Sequence, residues 1–180
     1  SGAMAPISIA GALTLSHAEA MAGIALAQLV RPGAPVVYGA FSSNVHMKSG
    51  APVFGTPEHI KTNFGAGQLA RHLGLPWRSG GGTASNCADV QADYETQQSV
   101  WSSVLAGANL IYHSAGWLEG GLSFCFEKFI NDIELLQTLA ETMHPVPFSD
   151  DEIGLDAMAQ VEPGGHFFAD QMTLERYETA

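Results

Sequence analysis

Three times in this chain a helix-forming stretch runs into glycine, crosses two residues and enters a short apolar strand. The passes are Gly33-Ala34-Pro35 into Val36-Val37-Tyr38-Gly39, Gly74-Leu75-Pro76 into Trp77-Arg78-Ser79-Gly80, and Gly107-Ala108-Asn109 into Leu110-Ile111-Tyr112-His113. Glycine ends helices because it adopts the left-handed backbone without strain. Strands that alternate with helices pair in parallel through right-handed crossovers. Each strand here opens into a loop of small and polar residues. In such folds ligands bind just beyond the C-terminal ends of the strands.

The apolar segment 7–10 reads as a further strand, giving four βα units with strands at 7–10, 36–39, 76–79 and 109–113. Ser16 and Glu19 form a capping box for a helix over 16–31. Thr56-Pro57-Glu58 opens a helix to about residue 73, and further helices are predicted over 89–106 and 123–143. Pro145 and Pro147 end the last of these, and Ser149-Asp150-Asp151-Glu152 starts a short one. The fold class is α/β. Residues 1–145 are predicted as a (βα)4 half-barrel and 146–180 as a helical tail of the same domain. Four units equal half of a TIM (β/α)8 barrel. A flavodoxin-like open sheet competes, but such sheets have more strands and helices on both faces. A free half-barrel exposes two unpaired edges, so the remainder of a barrel or a second copy is expected as a partner, and the former is favoured.

Net charge is −11, and 13 of the 18 acids lie from Glu119 onward. Nucleic acid requires a basic face, so neither it nor an anionic membrane surface is an expected partner. No run of about 20 apolar residues reads as a membrane span. Cys87 and Cys125 lack metal or redox spacing and are read as free thiols of a reducing cytoplasm, with Cys87 a lesser candidate nucleophile.

The strand-end rule selects the candidate site residues. Gly80, Gly81 and Gly82 could cradle an anion on backbone N–H groups or simply form a tight turn. His113 could act as base, donor or metal ligand, or be a buried core histidine. His46 and His166 could join it, but no metal-binding spacing exists, and no metal is expected. Glu119 could accept a proton, meet a cation or cap the next helix. Arg78, inside an apolar strand, needs a ligand carboxylate or a salt bridge. Tyr38, Phe41, Tyr112 and Trp117 flank strand ends and suit a quaternary ammonium through cation–π contact, although Tyr38 or Tyr112 could face the core instead. With no lysine at a strand end and no GxSxG, neither a Schiff-base aldolase nor a hydrolase elbow is expected.

Several motifs occur together in order: RPGAPVVYG at 31–39, QLAR at 68–71, GLP at 74–76, GGG at 80–82, AGAN at 106–109, HSAGWLEGG at 113–121, EK at 127–128 and VEPGGHF at 161–167. This set resembles the C-terminal portion of the trimethylamine methyltransferase family, the corrinoid-dependent methylamine and betaine methyltransferases. The resemblance implies the second half of a TIM barrel. It implies transfer of a methyl group from a methylated amine to the cobalt of a corrinoid (cobalamin) carried by a separate protein, with no cofactor bound permanently. Founding members carry pyrrolysine in the loop after the triple-glycine strand. Here that neighbourhood is Gly82-Thr83-Ala84, all standard residues, which points to a quaternary amine such as glycine betaine. Phe41 and Trp117 would hold the trimethylammonium and Arg78 or His113 the carboxylate. Two other readings stand beside it: a non-catalytic small-molecule-binding barrel subunit, and a phosphate-binding TIM-barrel enzyme using the triple glycine.

Overall fold

The computed structural model describes residues 2–178. The chain divides into two compact units, up to Ala140 and from Glu141.

The first unit opens with helix α1, Ile9–Val30. The strand expected at 7–10 is not there: Ser8 caps α1, its Oγ accepting from the Gly11 amide. The Ala- and Leu-rich run that follows favours helix from its first residue, so Ser16 lies within the helix rather than at its cap. The 22 residues of α1 are, by length and composition alone, long and apolar enough to cross a membrane, whereas no run of about 20 apolar residues was expected to read as a span.

Three parallel strands follow, β1 (Tyr38–Gly39), β4 (Trp77–Gly80) and β5 (Leu110–Tyr112), in the order β1-β4-β5. Tyr38 pairs with Trp77, and Gly80 with Tyr112. Helix α2 (Pro57–His72) joins β1 to β4, α3 (Val90–Leu105) joins β4 to β5, and α4 (Phe126–Thr142) follows β5. Thr56 caps α2 with Pro57 at N1, and Asp89 caps α3. The structure is therefore α/β with a parallel sheet, but with three βα units in place of four.

Two antiparallel hairpins lie in the loops after the strands: β2 (Asn44–Val45) with β3 (Pro52–Val53), and β6 (Trp117–Leu118) with β7 (Ser123–Phe124). The sheet is covered on one face. There Tyr38 and Trp77 are buried with Ala40, Ala66, Ala70 and Ala106. Helices α2 and α3 approach closely through small residues; a Cβ on Gly67 would run into the Ala106 carbonyl oxygen. Between them the Asn63 amide donates to Ser102 and its carbonyl accepts from Ser79, so both polar ends of this buried side chain are paired. Val37, Leu110 and Tyr112 remain 52%, 44% and 46% exposed, although a parallel sheet is normally covered on both faces.

The second unit holds α5 (Asp150–Ile153), α6 (Leu155–Gln160) and α7 (Gln171–Arg176). Ser149 caps α5, and Arg176 pairs with Asp151 and Glu152.

Candidate functional site

The loops beyond the strand ends enclose a cavity of about 160 Å³ lined by Phe41, Phe54, Gly81, Gly82, His113, Trp117, Gly120 and Gly121. Phe41 follows β1, Gly81 and Gly82 follow β4, and His113 follows β5, so the strand ends converge here. The rings of Phe41 and Phe54 stack with centroids 5.4 Å apart, and His113 meets Trp117 edge-on at 5.4 Å. Among the described residues, no Asp, Glu, Lys or Arg lines the cavity.

The glycines let the walls close in. A Cβ on Gly80 would lie 2.8 Å from the Phe41 ring, and one on Gly81 would lie 2.9 Å from Val100. The Gly81 amide is already engaged, donating to the Tyr112 carbonyl at 2.7 Å. It is therefore not free to hold an anion, which weakens the phosphate-cradle reading.

Among the described residues, two other than glycine have left-handed backbone, His113 at φ 57° and Glu119 at φ 53°. They bracket the loop that carries Trp117. Non-glycine residues held this way are uncommon and concentrate at functional sites. The loop is latched to the one after β4, with the Glu119 amide donating to the Ser85 carbonyl and the Gly120 amide to that of Thr83.

Phe41, Gly81, Gly82, His113 and Trp117 are thus brought together. Four other candidates lie elsewhere. Tyr38 is fully buried on the helix-covered face, its hydroxyl 3.1 Å from His17 Nδ1, because its pairing with Trp77 turns it to the core. Thr83 is buried beneath the loop and donates to Glu95. The Glu119 side chain is exposed and lies off the cavity wall. Arg78 sits on the open face of the sheet with its guanidinium 4.9 Å from the centre of the Tyr112 ring.

Residues behind the wall were not singled out from sequence. Glu95 is buried on α3 and accepts from Thr83 Oγ1 and the Ala84 amide at 2.7 Å each, fixing the loop after the triple glycine. Its signal was its spacing: it shares the buried stripe of Ala92, Thr96 and Ser99. His59 is fully buried and packs edge-on against both Phe41 and Phe54. The Gly55 amide donates to its Nδ1, which places the proton on Nε2. Burial pushes its pKa down to about 4, so the ring is neutral.

His46 bonds Ser49 in the turn between β2 and β3, and His166 packs on Phe168 in the second unit. Among the described residues no group of three or more His, Cys, Asp or Glu side chains could hold a metal ion. Both cysteines are free thiols. Cys87 donates to Asp89, and that hydrogen bond and the carboxylate's charge push its pKa up, opposite to what a nucleophile needs.

All of residues 1–180 match the trimethylamine methyltransferase family. The chain belongs to this family. It is 39% identical over 98% of its length to a glycine betaine methyltransferase from Desulfitobacterium hafniense. It is 33% identical over 99% of its length to a trimethylamine methyltransferase of the same species, and 33% identical over 97% to one from Methanosarcina barkeri. The chain spans 37%, 36% and 35% of these relatives. Relatives named for glycine betaine and for trimethylamine thus both lie within reach.

Proposed function

We propose that the protein takes a methyl group from a quaternary amine, glycine betaine being the favoured donor, and passes it to a corrinoid protein. The observation that carries the choice is the cavity wall: Phe41, Phe54 and Trp117 present ring surfaces, and no charged side chain competes for the site. A trimethylammonium group is recognised by such faces, because the ring quadrupole attracts the cation and the methyls fill apolar space. The greater identity to the betaine enzyme than to the trimethylamine enzymes agrees with this reading.

The positive nitrogen is already a good leaving group. One methyl carbon would leave it for reduced cobalt presented by a separate protein, the C–N electron pair staying on the departing tertiary amine. The barrel's own contribution is to hold the C–N bond in line and exclude water. His113, at a strand end and in strained backbone, would fix the orientation of the donor. Arg78 would receive the carboxylate by leaving the Tyr112 face. Cytoplasmic placement and the absence of a resident cofactor belong to the same proposal.

The open face of the sheet would form part of a barrel interior, with the three βα units part of a TIM half-barrel whose remainder covers Val37, Leu110 and Tyr112. Calorimetric titration separates the readings. Glycine betaine and tetramethylammonium should both bind and a sugar phosphate should not; a sugar phosphate binding more tightly would favour the phosphate-barrel reading. Arg78→Ala should weaken glycine betaine by roughly tenfold and leave tetramethylammonium unchanged. An equal loss for both would remove Arg78 from carboxylate recognition.

A further inference from the structure

The ion pair at Lys128 is buried on α4 and away from the cavity. Lys128 is fully buried, pairs with the buried Asp132 one turn on, and reaches Asp93 of α3 at 3.3 Å. A buried lysine between two carboxylates is an expensive way to join two helices, since apolar residues of similar volume often serve as well or better. Asp132 has a second contact. Its Oδ2 accepts from the Gly116 amide at 2.8 Å. Gly116 lies one residue before Trp117, and its carbonyl accepts from the Cys125 amide.

Gly116 has φ 79°, and a Cβ there would collide with the Phe124 ring. Phe124 in turn packs on Trp117 with centroids 5.9 Å apart. The segment from His113 to Glu119 therefore leaves β5 in a left-handed turn, is held at its middle by one carboxylate, and ends in a second left-handed residue other than glycine. With Oδ1 engaged by Lys128, Asp132 keeps Oδ2 turned to the loop.

We propose that Lys128 and Asp132 are positioning residues for the ammonium-binding wall, fixing Trp117 and His113 through the Gly116 amide. Neither touches the ligand. The claim about binding rests on the quaternary-ammonium reading of the cavity; the claim about the loop does not.

Three proteins test it: the unaltered chain, the double variant Lys128→Met/Asp132→Leu, and Lys128→Met/Asp132→Asn. The first double variant replaces the pair with apolar groups and abolishes the acceptor. The second also removes the charges but keeps an amide oxygen for Gly116. Tetramethylammonium affinity is read by calorimetry, and the Gly116 amide by hydrogen exchange.

The leucine variant should bind at least tenfold more weakly and exchange Gly116 at least tenfold faster, with thermal stability retained. The asparagine variant should recover both. Wild-type affinity and Gly116 protection in the leucine variant would overturn the proposal, as would an asparagine variant no better than the leucine one. If the leucine variant does not fold, the asparagine variant decides alone against the unaltered chain, and impaired binding and protection there would count against the proposal. If the unaltered chain does not bind tetramethylammonium, the ammonium reading fails, and Gly116 exchange alone judges the anchor.

Discussion

In the proposed quaternary-amine site, Trp117 is the residue on which recognition would depend most. It is in the cavity wall, meets His113 edge-on, and is backed by Phe124. A desolvated cation–π contact contributes about 2 kcal/mol, so Trp117→Ala should weaken tetramethylammonium about thirtyfold in calorimetry, while Trp117→Phe should recover part of it. Equal, small losses in both variants would show that the face of the ring is not used. His59 gives a separate test. Its folded pKa of about 4 lies below the value of about 6.5 in an unfolded chain. The folded state therefore binds fewer protons, so this contribution is complete above pH 6.5 and is lost as pH falls towards 4. Linkage puts the loss at about 2 kcal/mol by pH 5. His59→Gln should flatten that part of the stability–pH curve, measured by urea melts from about pH 7.5 to pH 5. The residues at strand ends were legible in the sequence because the βα repeat says where loops converge. Tyr38 was not, because a two-residue strand can show either face to the core until its partner Trp77 decides.

At the scale of elements, the caps and glycine stops carried most of the information. Thr56 and Ser149 cap the helices they were expected to cap, and Asp89, expected as the first residue of its helix, is that helix's cap. Segment 7–10 misled because four apolar or small residues satisfy helix and strand alike, and the cap at Ser8 decides for helix. The hairpins β2–β3 and β6–β7 were hidden because each strand is two residues long, too short for an alternating pattern. The packing of α2 on α3 depends on a missing side chain at Gly67. Gly67→Ala would force a methyl into the Ala106 carbonyl, and overpacking of this kind costs about 1–3 kcal/mol. The expected lower urea midpoint would be absent if α2 and α3 can move apart freely.

At the scale of the molecule, the sheet has apolar residues on a face that the chain leaves open, and a parallel sheet rarely remains so. On the proposed reading, the family supplies the chemistry and the cavity at the strand ends supplies the preference among donors. That preference would rest on charge: ring faces, with no Asp, Glu, Lys or Arg among the described residues lining the cavity, would select a cation that carries its own leaving group. It is tested most directly by incubating the protein with a reduced corrinoid protein and, in parallel, glycine betaine or trimethylamine, and measuring the demethylated amine. Dimethylglycine should form from glycine betaine, with little or no dimethylamine from trimethylamine. Dimethylamine without dimethylglycine would contradict the assignment of a quaternary amine to this cavity.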